Sequence, residues 1–113
     1  MELIDGDAEV TAGIEVIKAP GHTPGGIVVV VSSGDERLVS TFDLIHQPSD
    51  LAWPTLYSVF DANPELGSRT RQQIFSHFMP SSPLVFACHF PFPGLGYIVP
   101  KGNAWLWKPS GLE

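Results

Sequence analysis

The run Ile27-Val28-Val29-Val30-Val31 most narrows what this chain can become. β-branched side chains lose χ1 freedom in a helix and fit a pleated strand. The run is also far too short to cross a bilayer. It is apolar on both faces, so it predicts a central strand in a sheet covered on both sides. Turn-forming residues bound it, Thr23-Pro24-Gly25-Gly26 before and Ser32-Ser33-Gly34-Asp35 after.

Further strands follow from the same pattern. Glu9-Val10 predicts a short strand before the turn Thr11-Ala12-Gly13, and Ile14 to Ile17 a second. Arg37 to Thr41 returns as the third strand of a meander with Ile14–Ile17 and Ile27–Val31. Asp43 to Phe60 is a loop-rich segment. A helix is expected from Pro64 to about Met79, capped by Asn63 or Asp61, with Pro64 suited to its first turn. Leu66, Thr70, Ile74 and Phe78, with Phe75 beside them, form its apolar stripe, and Arg69, Arg71, Gln72 and Gln73 lie mostly off it. Pro80 ends the helix. Pro83 to Ala87 is another buried strand. Gly96–Pro100 and Asn103–Trp107 form a closing hairpin turning at Lys101-Gly102. The class is α/β in the broad sense (α+β), with a mixed sheet and one main outer helix.

The 113 residues suffice for one compact domain, taken as residues 1–113. A formal net charge of −6 and the lack of any basic run speak against nucleic acid or an anionic membrane surface as partner. Hydrophobic residues make up 43% and charged residues 16%, a balance that favours a buried oligomer interface. Cys88 is the single cysteine, so no internal disulfide forms, which fits a reducing, cytoplasmic location. The start Met-Glu-Leu-Ile-Asp-Gly-Asp is acidic and is not a signal peptide.

The chemistry-bearing residues recur at one kind of place. His22 sits in Pro20-Gly21-His22-Thr23-Pro24-Gly25-Gly26, Asp43 just past Arg37–Thr41, and His89 just past Leu84–Ala87. In a meander the ends carrying His22 and Asp43 fall on one edge, and a helical crossover brings His89 to the same edge. Two imidazoles and a carboxylate suit zinc or a similar divalent ion. His46, three residues past Asp43, is read as a surface or packing residue, with reach into the same cleft as the alternative. His77 is read as solvated and Cys88 as a small buried hydrophobe. Trp53, Tyr57 and Phe60 either line a substrate pocket or pack under a long loop. Trp105 and Trp107 alternate in a terminal strand and pack in a core or interface. Asp61, Arg69 and Arg71 form a solvated or salt-bridged helix start.

Taken together, Pro20-Gly21-His22-Thr23-Pro24-Gly25-Gly26, Asp43 and Cys88-His89-Phe90-Pro91-Phe92-Pro93-Gly94-Leu95-Gly96 resemble the metallo-β-lactamase superfamily. Asp61–Pro64, Ser68–Arg71 and Trp105–Pro109 resemble its lactonase and organophosphate-hydrolase-like branch. The resemblance spans nearly the whole chain but only the carboxyl-terminal half of that family's domain. It implies that His22 is the third histidine of a first zinc site, that Asp43 bridges two zincs, and that His89 belongs to the second. It implies metal-assisted hydrolysis of an ester, lactone, amide or phosphoester.

Two departures accompany it. The family's His-x-His-x-Asp-His cluster has no counterpart in these residues, and Phe42 stands where the family usually has Gly. The expectation is therefore half of an αββα sandwich that is not catalytic alone. Its bare inner sheet face would be completed by a second copy in a homodimer or by a chain carrying the missing amino-terminal half. The alternatives are a hydrolase of lactones or esters once complemented, a dimer binding a small molecule without catalysis, and an inactive truncated fragment.

Overall fold

The structure, a computed structural model, describes residues 6–52 and 61–111. Its strands are β1 (Ala8–Thr11), β2 (Ile14–Lys18), β3 (Ile27–Ser33), β4 (Glu36–Ser40), β5 (Leu84–Phe86), β6 (Leu95–Lys101) and β7 (Ala104–Pro109). They form one seven-stranded sheet in chain order. Every neighbouring pair is antiparallel except β4 and β5. A parallel pair needs a long crossover, and the segment between β4 and β5 supplies it with helix α2 (Pro64–Phe78). The expected α+β class and the meander are both present. The loop-rich segment contains a 3₁₀ turn over Phe42–Leu44 and the short helix α1 (Ser49–Ala52). The last hairpin pairs Lys101 with Ala104, which moves its turn one residue on, to Gly102-Asn103.

Helix α2 begins as its sequence requires. The Asn63 side chain accepts a hydrogen bond from the Leu66 N–H at 3.1 Å, and Pro64 occupies the first turn, where a missing N–H costs nothing. Thr70, Ile74, Phe75 and Phe78 are buried on one stripe. They close over Val28, Val30, Val39, Val85 and Ile98, which point from the strands to the same side. Trp105 and Trp107 extend this core. The first packs edge-on to Phe75 with ring centroids 5.9 Å apart, the second to Phe90 at 4.8 Å.

Arg71 departs from expectation. It is 3% exposed, on the buried side of a helix whose other charged residues, Glu65 and Arg69, are exposed. Its partner is described below.

The other sheet face is the second departure. Register places Ile14, Val31, Leu38 and Leu84 side by side on it, with Tyr97 and Leu106 on the same face, where Tyr97 pairs with Lys108 and Leu106 with Val99. Val31, Tyr97 and Leu106 are 38%, 36% and 45% exposed. β3 is central, and its α2 side is the better covered one among the described residues: on the other face Val31 is exposed, Val29 is half-buried and its partner Val16 on β2 is buried. No described helix is long and apolar enough to cross a membrane.

Candidate metal centre

Four loop segments meet at one edge of the sheet, and each is tied down by backbone hydrogen bonds. The loop after β2 closes on itself, with the Ala19 N–H donating to the Gly26 carbonyl at 2.8 Å. It is also fastened to the start of α2. The Ala62 and Asn63 N–H groups donate to the carbonyls of His22 and Gly21 at 3.0 and 2.9 Å, and the Thr70 hydroxyl donates to Pro20 at 2.7 Å. Gly21 lies against Gly67. Its φ is +143°, and a Cβ there would sit 2.2 Å from the Gly67 Cα. Glycine at both positions is what lets the loop and helix come this close.

Asp43 is placed by the end of β4. The Thr41 N–H donates to the Phe86 carbonyl at 3.1 Å, joining the ends of β4 and β5. Phe42 then turns the chain with a φ of +48°. That is the left-handed conformation glycine adopts freely, and a bulky side chain rarely enters it. Leu44 and Ile45 are buried in the core, so Asp43 and His46 flank an anchored pair and turn outward to the rim. His89 lies in the loop after β5, where Ala87 N–H to Gly94 carbonyl (2.8 Å) and Phe90 N–H to Ala87 carbonyl (3.0 Å) shape a compact turn.

These anchors bring the side chains together. His89 Nε2 lies 2.5 Å from Asp43 Oδ1, and His22 Nε2 lies 3.8 Å from Asp43 Oδ2. His46 Nε2 is 3.9 Å from Asp43 Oδ1. The His46 ring stands between the other two, with centroid distances of 4.9 Å to His22 and 5.2 Å to His89. On the far side of His22, its Nδ1 is 3.2 Å from Asp61 Oδ1. Asp61 is fully buried, and its other oxygen accepts from Arg71 at 3.1 Å. The same Arg71 nitrogen is 3.4 Å from the Leu44 carbonyl, so one guanidinium braces the carboxylate and the Asp43 turn together.

The electrostatics follow from this crowding. Hydrogen bonding to His89 holds the Asp43 carboxyl below the usual carboxylate range, with the nearby imidazoles adding to it and desolvation opposing it. Burial, followed by the neighbouring His22, lowers the pKa of His46 and favours its neutral form. Neutral imidazole and ionised carboxylate are the forms that bind a metal.

The donors fit a divalent ion. Metal–ligand bonds of about 2.0–2.1 Å in a tetrahedron put neighbouring donors about 3.3 Å apart. The 3.8 and 3.9 Å separations across Asp43 are within reach of that edge by small side-chain movements. Two overlapping triads have donors within 4.8 Å of one another, His22–His46–Asp61 and Asp43–His46–His89. In the first, Asp61 is already committed to Arg71 and to His22 Nδ1, which suits a carboxylate orienting a ligand more than a ligand.

The expected trio His22, Asp43 and His89 therefore converges. His46, read above as a surface or packing residue with reach into the cleft as the alternative, stands among them. Of the two readings of the helix start, solvated or salt-bridged, Asp61 and Arg71 take the second, as an ion pair buried behind His22. Arg69 and His77 are exposed. Cys88 is exposed, not buried, with its sulfur 3.7 Å from the Phe42 carbonyl. Trp53, Tyr57 and Phe60 lie outside the described residues. A cavity of about 250 Å³ beside the cluster is lined by His22, Ile27, Phe42 and Asp43 among others.

Comparison with known proteins leads the same way. No protein-family description matches the chain, and no curated protein does. Solved structures do match. AidC, a dizinc quorum-quenching lactonase solved with a product, superposes with a TM-score of 0.90 and 27% identity over 99% of this chain and 38% of its own. AbOPH, a hydrolase in the β-lactamase superfamily, gives 0.85 and 27% over 94% of this chain and 37% of its own. The chain carries part of the metallo-β-lactamase fold. A probable metal-dependent hydrolase from Staphylococcus aureus shares the fold with a TM-score of 0.70 at 15% identity, over 95% of this chain and 39% of its own. The fold of those relatives is thus matched in part. The chain spans well under half the length of each of these relatives, and its 113 residues contain no His-x-His-x-Asp-His run.

Proposed function

We propose that this chain supplies one side of a metal-dependent hydrolase centre for small lactones or esters, and that turnover needs a second, ligand-bearing half. The observation carrying this reading is the convergence of His22, Asp43 and His89 at one rim, with the buried Asp61 behind His22. A zinc-like ion held there would polarise a substrate carbonyl and acidify a water. Asp61 accepts from His22 Nδ1 and so leaves the Nε2 lone pair facing Asp43. Asp43 offers two oxygens in the ionised form that its neighbours favour. The adjoining cavity of about 250 Å³ is sized for a small ring with an apolar edge, and Ile27 and Phe42 give it that edge.

The bare sheet face is part of the same reading. We assign it to the remainder of a metallo-β-lactamase sandwich, because this chain spans 38% of AidC and the face carries an apolar row from Ile14 through Val31 and Leu38 to Leu84. A second copy of this chain is the competing occupant.

The test is a hydrolysis assay with an N-acyl homoserine lactone, chosen because AidC is a lactonase. Zinc-loaded protein alone is expected to show no turnover above metal-free protein. Protein joined to a polypeptide bearing a His-x-His-x-Asp-His half should turn over, and His22→Ala or Asp43→Ala should abolish it. No turnover by the joined form, or turnover by the lone chain that survives both substitutions, would contradict the proposal.

A further inference from the structure

We infer that His46 makes this rim a complete site for a single divalent cation within the chain itself, with His22, Asp43, His46 and His89 as the four ligands. The inference deepens the metal-centre reading above and rests on it. The resemblance to the superfamily assigns no role to His46. Its part is read from geometry alone.

Three observations carry it. The first is position. The His46 ring lies between those of His22 and His89, at 4.9 and 5.2 Å, and its Nε2 is 3.9 Å from the carboxylate oxygen that also meets His89. A donor in that place closes the gap between two imidazoles that would otherwise serve separate ions. The second is rigidity. Ile45 is fully buried next to it, and Asp50 Oδ2 accepts from the His46 and Gln47 N–H groups at 2.7 and 3.2 Å. The backbone is held before any metal arrives, which lowers the ordering cost of binding. The third is donor chemistry. Three imidazoles and one carboxylate form a four-donor set of the kind zinc and cobalt(II) accept in a tetrahedron. The carboxylate would leave a net charge of +1 at the rim once an ion of charge +2 is bound. Asp61, neutralised by Arg71, then orients His22 and does not compete for the ion.

The consequence is that a lone chain binds one ion per chain without the missing half. The experiment is titration of the metal-free, tag-free 113-residue chain with cobalt(II), read by its visible d–d absorption and by calorimetric stoichiometry. Expected are one ion per chain, a four-coordinate spectrum, and a loss of affinity in His46→Ala and His46→Gln of roughly 100-fold, at least the upper end of what losing an outer partner costs. His77→Ala, on the exposed side of α2, should bind as the parent does. Circular dichroism of each metal-free variant establishes folding, and His46→Gln keeps the side-chain size if His46→Ala does not fold. Binding unchanged in both His46 variants but lost in His22→Ala and His89→Ala would overturn the inference and leave the metal-centre reading standing. Two ions per chain would also overturn it. No binding by the parent chain would overturn both this inference and metal retention by the lone chain, while the joined-half assay would still decide the hydrolase reading.

Discussion

His22 Nδ1 and Asp61 Oδ1 are 3.2 Å apart, and the opposite Asp61 oxygen is held by Arg71 at 3.1 Å. The carboxylate therefore connects a rim imidazole to a buried cation of α2. Removing it leaves the guanidinium buried without its counter-charge. Asp61→Ala should cost about 3–5 kcal/mol in urea unfolding of metal-free protein. Asp61→Asn keeps the shape, and should weaken cobalt binding about 10- to 100-fold because His22 loses the acceptor that fixes its tautomer.

Gly21 and Gly67 set how closely the His22 loop meets the helix. A Cβ at Gly21 would lie 2.2 Å from the Gly67 Cα, at a φ of +143°. Gly21→Ala should therefore destabilise by more than about 2 kcal/mol, through overpacking and backbone strain together. Thermal melting measures the first effect. Weaker cobalt binding should accompany it, because the loop must shift away from α2.

Phe42 occupies left-handed space with a φ of +48° while its side chain is 41% exposed. Glycine there relieves a backbone cost of about 1–2 kcal/mol and adds about 0.5–1 kcal/mol of unfolded-state entropy to be overcome. Phe42→Gly should raise stability by about 0.5–1 kcal/mol in denaturant titration, with the Asp43 turn unchanged.

The trio His22, Asp43 and His89 is legible in sequence because each follows a short β-branched or apolar run, and strand ends at one edge converge whenever the topology is a meander plus a crossover. His46 and Asp61 are not legible that way. His46 reaches the rim because Leu44 and Ile45 are pulled into the core, which fixes the direction of their neighbours only after tertiary packing. Asp61 is 39 positions from His22, and it becomes a buried partner only because α2 docks against the Pro20–Gly21 backbone. Arg71 looks like a solvated helix residue by spacing, since periodicity does not register a buried counter-ion. The bare sheet face shows the converse limit. The valines of β3 announce two apolar faces, but not whether both find cover within the same chain.

The rim should also govern acid stability. The pKa of His46 is lowered in the folded state, so on acidification the unfolded chain takes up its proton first. Stability of metal-free protein should fall as pH drops below about 6.5. The Asp43 pKa is lowered too, so its contribution is present above about pH 4 and is lost as pH falls further. Melting midpoints across about pH 2–7 should show the upper step shrink in His46→Gln and the Asp43 step remain.

The open face offers a separate check. Val31 is 38% exposed on the apolar row, away from the α2 core. Val31→Lys should leave the melting midpoint of dilute protein within about 0.5 kcal/mol of the parent in stability terms. It should abolish whatever association sedimentation velocity finds at micromolar concentration. Association undiminished by the lysine would place the partner elsewhere.

The most direct measurement is an anomalous-difference map at the zinc edge from crystals of the full chain grown with zinc. A single peak enclosed by the imidazoles of His22, His46 and His89 and the carboxylate of Asp43 is the predicted result. Crystals with no zinc at this rim, or with His22 and His89 turned to opposite sides of the molecule, would contradict it.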